Sequence, residues 1–483
     1  MAEFTIRAGN QLCDVSLVSS SSENPEIASI KSFGISFFNN MVMTCFKLIS
    51  LTNLILLGHI LYNEKVDYQL FMTFQIGVFI LEVLGKYFII GLLKYIFGEY
   101  KNIKSSYLLY IKLKTTLIFL IPFVTIPVSI CSYFLLKLIF KDALQINDFH
   151  LINEVYKKYL LFTPAIYFFE ILFLLNLKFL NIIKMIRSVF IYIICFLASH
   201  VILSWILLYI LEIGLIGLTI SYCLNSLIFF FATDKKISIM VQNDTKDHFH
   251  LIPNKSNLNF ELFGLLLEIS KYSLINLIEA LPTQLIFFAS LFIDNNSLIV
   301  NIIYISFYEF VTEIARGFYY TIKREVFNKY NDINNRQLFL LLFSGYYLII
   351  IMVVFVVLLI FKNILLNIYI FKGGEKTYQK IASSLRILYS LCILSMSVKL
   401  IINGIVRGME IPMPNARKLI YLILFAIVGY YCCFEIDFGI LGLWFSMIIL
   451  DLFYICENLT KVIKIFYFHS GTKFIIFIHH SIF

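Results

Sequence analysis

Glu279 lies in the middle of the apolar stretch ISKYSLINLIEALPTQLIFF. A charge at such depth costs about 2.5–3.5 kcal/mol on insertion scales, so its presence needs a reason. Pro282, three residues further on, supplies one. Proline has no N–H, and the carbonyl of Ile278, next to the carboxylate, therefore loses its helical partner. A freed carbonyl beside a carboxylate can hold a small cation, and a titratable group in that setting is suited to proton exchange. The competing reading is a carboxylate that only hydrogen-bonds a neighbouring helix. Glu309 and Glu313 are four residues apart and share one helical face. Arg316 follows Glu313 by three residues and predicts an internal ion pair there, which leaves Glu309 as the candidate to face a cavity.

Other ionisable residues within apolar runs are weaker candidates. Glu82 has Lys86 at i+4 and predicts a paired structural group. Glu170 follows Pro164, whose ring frees the carbonyl of Leu160, so a cavity role is one of its two readings. Arg386 and Lys399 share an apolar run without any carboxylate between residues 382 and 406. Lys399 either reaches an interface or pairs with Glu279 or Glu309. Tyr304, Phe307, Tyr308, Tyr319 and Tyr320 could stack on flat organic cations. At this aromatic density, lipid-facing packing is the expectation for most of them. No phosphate-binding G-x-x-x-x-G-K-(S/T) pattern, metal-ligand spacing or Ser-His-Asp arrangement is present, so an enzyme, a bound cofactor and nucleotide-driven transport are not expected.

The elements that must position these groups are membrane spans. Of 483 residues, 60% are hydrophobic and 14% charged, against roughly 45–50% and about 25% in a soluble globular chain. Fifty Phe and thirty Tyr against eight Pro leave long uninterrupted apolar runs. A spanning helix needs about 20 such residues. Runs occur near 36–60, 70–93, 115–140, 159–177, 189–210 and 213–232, then near 262–293, 298–322, 338–361, 381–406, 419–434 and 439–459. A polar connector over 233–259 separates the two sets, a Ser-rich polar segment fills 1–35, and 461–483 reads as an interfacial tail. The formal charge of +9 is spread over short loops, a pattern of membrane orientation and not of nucleic-acid binding. Lys and Arg after even-numbered spans outnumber those after odd-numbered ones by 19 to 8, which predicts both termini in the cytoplasm. Nine cysteines are scattered without a disulfide or zinc spacing.

The two sets of spans resemble each other. Residues 212–224 read EIGLIGLTISYCL and residues 437–449 read DFGILGLWFSMII, 225 positions apart. Each places two glycines three apart where a span begins, allowing close contact between helices. Duplication on this scale marks secondary transporters, in which the solute is held near the midplane between repeats.

The order and spacing of several motifs resemble the multidrug and toxic compound extrusion (MATE) transporters, the eukaryotic branch in particular. Leu57-Gly58-His59 is similar to the family's V-G-H. Phe97-Gly98 with Tyr100 is similar to A-F-G-A and its Tyr, and residues 177–181 (LKFLN) resemble L-x-R-F-L-Q. Gly214, Gly217, Ser221-Tyr222 and Leu224-Asn225 resemble G-x-x-G-A-A-x-A…S-Y-W-L-N. Residues 404–408 (GIVRG) with Asn415, and Gly439 to Trp444, resemble G-V-x-R-G and G-V-x-G-L-W. The resemblance implies an all-α integral membrane fold of twelve transmembrane helices in two six-helix lobes, 36–232 and 260–460, around a central cavity. It implies a monomeric antiporter in the lipid bilayer that exports small organic, cationic or xenobiotic solutes against protons or sodium. Glu279 falls at the first Glu of the family's C-L-E-W-W-x-(F/Y)-E, Gln284 stands at the second, and Tyr308-Glu309 resembles its V-Y-E. Coupling is thus expected at Glu279, Gln284 and Glu309, with Glu170, Asn53, Lys399 and Tyr308 as cavity-lining candidates. Span 1 offers Asn39, Asn40, Lys47 and Asn53 in place of the Asp and Pro of bacterial members. The alternatives are a lipid-linked oligosaccharide flippase of the same superfamily, which would use Lys399 and Arg386, or a divergent membrane protein without transport.

Overall fold

A computed structural model describes residues 52–53, 55–56, 103–143, 146–183, 185–213, 215–245, 278, 281–290, 292–293, 295–329, 351–352, 355–356, 364–369, 376–409 and 415–470. They divide between two units. The first holds α1 (Ile103–Ala143), α2 (Ile146–Ile182), α3 (Ile186–Trp205) and α4 (Leu215–Thr245). The second holds α5 (Leu281–Ser290), α6 (Asn295–Lys329), α7 (Ile364–Tyr369), α8 (Lys376–Gly408), α9 (Asn415–Tyr430) and α10 (Ile440–Ser470). All of these elements are helical. Eight stretches among the described residues are long and apolar enough to cross a bilayer, from Tyr110–Cys131 in α1 to Ile440–Ile463 in α10. The spans expected near 36–60, 70–93, 262–293 and 338–361 lie mostly outside the described residues.

Hydrophobic side chains are turned outward as well as inward, as a hydrocarbon solvent requires. Phe123 is 78% exposed, Phe453 61% and Ile427 60%. Hydroxyls at the same depth close onto their own helix. Thr125 donates to the carbonyl of Ile121 and Ser306 to that of Ile302, both at 2.8 Å, and Ser397 donates to Ile393 at 2.7 Å. A polar group left open in lipid would cost several kcal/mol, so these i−4 bonds are what admit Ser and Thr to the spans. In the first unit α2 packs against α1 and α4; in the second, α8 lies between α6 and α10.

The repeat reaches down to individual backbone bonds. After α3 the chain widens into a π-helical turn, Ile206–Ile210, and after α9 into another, Tyr431–Glu435. The N–H of Leu211 bonds the carbonyl of Ile206 at 3.0 Å, and that of Ile436 bonds Tyr431 at 3.0 Å. Glu212 and Asp437 then take positive φ, 51° and 61°, and the chain reverses into α4 and α10. Every pair is separated by the 225 positions that separate the two glycine motifs. At Gly217 a Cβ would come to 3.1 Å from the Leu207 Cβ; at Gly442 it would come to 2.6 Å from the backbone carbon of Cys432. The glycines let each returning helix lie against the widened turn that precedes it.

Helix α4 runs on through the start of the polar connector to Thr245 and fully buries Thr233 and Asp234. Lys114, expected in a connection between spans, is also buried and forms an ion pair with Asp234. Each charge hides the other from the apolar surroundings, which a hydropathy profile of either segment alone does not register.

Candidate functional site

In the second unit, α5 and α6 bring Gln284 and Glu309 together. The Gln284 side chain is buried and its Nε2 donates to Glu309 Oε1 at 3.1 Å. Gln284 Oε1 is buried and has no hydrogen-bond partner. Glu309 itself is half-buried. The contact joins two of the three residues expected to handle the coupling ion. The third, Glu279, lies outside the described residues, although Ile278 before it is helical and Pro282 beyond it is buried in α5.

Five hydrogen bonds from aromatic and amide side chains tie α5, α6, α8 and α10 together. Asn301 on α6 donates through Nδ2 to Ser290 Oγ on α5 at 3.0 Å and to the carbonyl of Ile286 at 3.3 Å. Its Oδ1 accepts from Trp444 Nε1 on α10 at 3.0 Å. Tyr389 on α8 donates to the carbonyl of Tyr304 at 2.8 Å, and Tyr304 donates back to Ala382 at 3.2 Å. Replacing Trp444 by Phe keeps the ring packing and leaves Asn301 Oδ1 without its donor. A loss of about 1–2 kcal/mol in detergent unfolding is expected. Tyr304, Tyr308, Tyr389 and Trp444 form one edge-to-face cluster, with Tyr308 and Trp444 centroids 5.7 Å apart and Tyr389 and Trp444 centroids 5.0 Å apart. Tyr304 and Tyr308, expected among mostly lipid-facing aromatics, are therefore packed inside the unit, where the polar ends of Tyr304 and Tyr389 find partners.

Charges in this unit are matched in pairs. Glu313 and Arg316 form the expected i,i+3 ion pair on α6. Lys399 on α8 does not pair with Glu309. Its Nζ lies 2.6 Å from Asp451 Oδ1 on α10, and Ser395 donates to Oδ2 at 3.1 Å. Asp451 is fully buried, and the Lys399 ammonium also lies 5.6 Å from the Tyr454 ring centroid. Asp451 is the residue that sequence reasoning missed. Its signal was a lone carboxylate in MIILDLFYI, overlooked beside the longer list on spans 7 and 8. Arg386, on the same helix as Lys399, is half-buried and its Nε has no hydrogen-bond partner.

Glu170 is buried on α2 in the first unit. Asn53 is buried and groups with the second unit. Tyr308 precedes Glu309 but is committed to the aromatic cluster.

The eukaryotic MATE transporter AtDTX14 is similar with a TM-score of 0.66 at 15% identity, covering 90% of this chain and 96% of that one. The fold is that of the MATE transporters. A superfamily transporter from Pyrococcus furiosus, whose binding pocket is described as having reversed polarity, shares the fold at a TM-score of 0.62 and 12% identity, over 89% and 96% of the two chains. The lipid II flippase MurJ in an inward closed conformation is similar at 0.60 and 16%, over 89% and 87%. No protein-family model matches the sequence, and no curated protein does. The likeness to the MATE fold thus rests on shape and topology, and at these identities residue roles have to come from this chain's own chemistry.

Proposed function

We propose that this chain is a MATE-type secondary antiporter that moves organic solutes, cationic xenobiotics among them, out of the cytoplasm in exchange for protons or sodium. The observation that carries this reading is the Gln284–Glu309 contact. In the second unit Asp451 pairs with Lys399 and Glu313 with Arg316, and Glu309 accepts a hydrogen bond from the neutral amide of Gln284. An ionised Glu309 accepts from Gln284 Nε2. A protonated one can donate to Gln284 Oε1, which is buried and waiting for a donor. The pair therefore has two hydrogen-bonded arrangements that differ by one proton, and a coupling step needs such a two-state element. Glu279, five residues before Gln284 in the sequence, is a second proposed coupling carboxylate, and the distribution of Lys and Arg in the loops supports cytoplasmic termini.

Counterflow of a labelled organic cation in proteoliposomes, with and without a pH or sodium gradient, tests this. Glu279→Gln and Glu309→Gln are each expected to lower gradient-driven movement tenfold or more while the protein stays folded in the bilayer. Gradient-driven movement that survives in both variants overturns the assignment. Arg386, within the apolar helix Lys376–Gly408 and with an unpartnered Nε, favours a second reading as a flippase for an anionic lipid-linked sugar. Lys399 does not add to it, because its charge is neutralised by Asp451. Under that reading the liposomes show no cation counterflow, and Arg386→Gln abolishes lipid-linked sugar movement.

A further inference from the structure

Several cations of the described helices are compensated inside the protein. Lys114, Arg316, Lys399 and Lys461 each lie beside a carboxylate, that of Asp234, Glu313, Asp451 and Glu457 respectively. Lys323 on α6 and Arg407 on α8 differ. Among the described residues neither has a carboxylate partner. Both stand at a close crossing of their two helices. A Cβ at Gly404 would meet the Tyr319 carbonyl oxygen at 3.1 Å, and one at Gly408 would meet the Val326 Cβ at 2.6 Å and the Lys323 carbonyl oxygen at 2.8 Å. The apolar stretches Ser297–Lys323 and Lys376–Gly408 end at this same contact, so the crossing lies where the spans leave the hydrocarbon.

The two cations share one side of the crossing. The contact advances from Tyr319 to Lys323 on α6 as it advances from Gly404 to Gly408 on α8, so the helices run parallel. At about 100° per residue, Lys323 is turned roughly 80° to one hand of the Ile322–Val326 face, and Arg407 roughly 80° to the other hand of the Gly404–Gly408 face. In a parallel pair those opposite hands form the same rim. Lys323 is exposed there and Arg407 half-buried. Tyr319 and Leu400, both half-buried, continue the rim into the span with largely apolar surface. By the same count the position of Glu325 falls on the opposite rim and that of Arg324 at the back of α6. Arg407 also lies in the last turn of α8, whose carbonyls carry only partial charge and leave most of the cation uncompensated.

We propose that Lys323 and Arg407 bind the phosphate of an anionic phospholipid, whose acyl chain lies along Tyr319 and Leu400. The Lys323 ammonium supplies a mobile point charge, and the planar Arg407 guanidinium presents two N–H groups to two phosphate oxygens. The missing counter-charge of the crossing is then supplied by the membrane itself. On the orientation read from the loop charges this end of the unit faces the cytoplasmic leaflet, where a basic pocket between spans recognises anionic headgroups. The site is separate from the Gln284–Glu309 pair and does not depend on which solute the protein moves.

Native mass spectrometry of the full-length protein in detergent, titrated with dioleoylphosphatidylserine or dioleoylphosphatidylcholine, reads the occupancy directly. The wild-type protein is expected to retain one phosphatidylserine at least tenfold more tightly than phosphatidylcholine. Lys323→Gln and Arg407→Gln should each weaken that binding about fivefold, and the double variant about twenty-five-fold. Lys323→Arg should keep it. Lys376→Gln with Lys380→Gln removes the same charge from exposed positions at the other end of α8 and should leave the preference unchanged. If the double variant at the crossing does not fold, Lys323→Gln alone decides, because its side chain is exposed. Equal retention of the two lipids by the wild type, a preference that survives Lys323→Gln, or an equal loss in the distal variant overturns the proposal. Displacement of the lipid by millimolar inorganic phosphate would overturn it too, by assigning the two cations to a free anion.

Discussion

Lys399→Met is expected to destabilise the protein by about 3 kcal/mol. The substitution leaves Asp451, which is fully buried, with only Ser395 as a partner. Breaking one side of a buried ion pair costs about 3–5 kcal/mol, because the remaining charge keeps its desolvation penalty and loses its compensation. The Lys399 side chain is 24% exposed, and the lower end of that range therefore applies. Adding Asp451→Asn to Lys399→Met should recover most of the loss, since no net charge then remains in the apolar interior. Thermal unfolding in detergent, followed through the reactivity of the buried Cys392, measures both variants. Equal stability of Lys399→Met and wild type would mean that the pair contributes nothing to the second unit.

Gly442→Ala and Gly217→Ala form a matched pair at equivalent positions of the repeat, and their effects should differ. The new methyl at 442 would meet the Cys432 backbone carbon at 2.6 Å and its oxygen at 2.7 Å, atoms that cannot swing away as a side chain can. At 217 the corresponding approaches to Leu207 are 3.1–3.3 Å. Overpacking a fitted contact costs about 1–3 kcal/mol, and Gly442→Ala belongs at the top of that range while Gly217→Ala belongs near its foot. The same unfolding assay ranks them, and the reverse order would contradict the geometry of the two turns.

What could be read from the chain alone depended on the distance between the partners. The Glu313–Arg316 pair was legible because both residues lie on one helical turn. The glycine motifs were legible because they are written twice. The π-helical turns were not, since ILLYI and YCCFE continue the apolar pattern of the helices before them and carry no breaker. Lys399 stood out as a cation within an apolar run, but its partner is 52 residues away on another helix, and nothing local connects Ser395, Lys399 and Asp451. Lys114 and Asp234, 120 positions apart, were assigned to connections for the same reason, since each alone ends an apolar run. Gln284 was singled out by its place in a motif, and its contact with Glu309 gives that place a chemical meaning.

The widened turns also carry information about ancestry. A π turn behaves as one residue added to an α-helix and absorbed without breaking it. Because both halves carry the addition at the same spacing, followed by the same left-handed residue and the same tight glycine, it was present in the single half-length gene before that gene was copied. The charged pairs have no such counterpart. Asp451 corresponds to Ser226 and Asp234 to Leu459, so the two halves differ in their buried electrostatics while sharing one hairpin geometry.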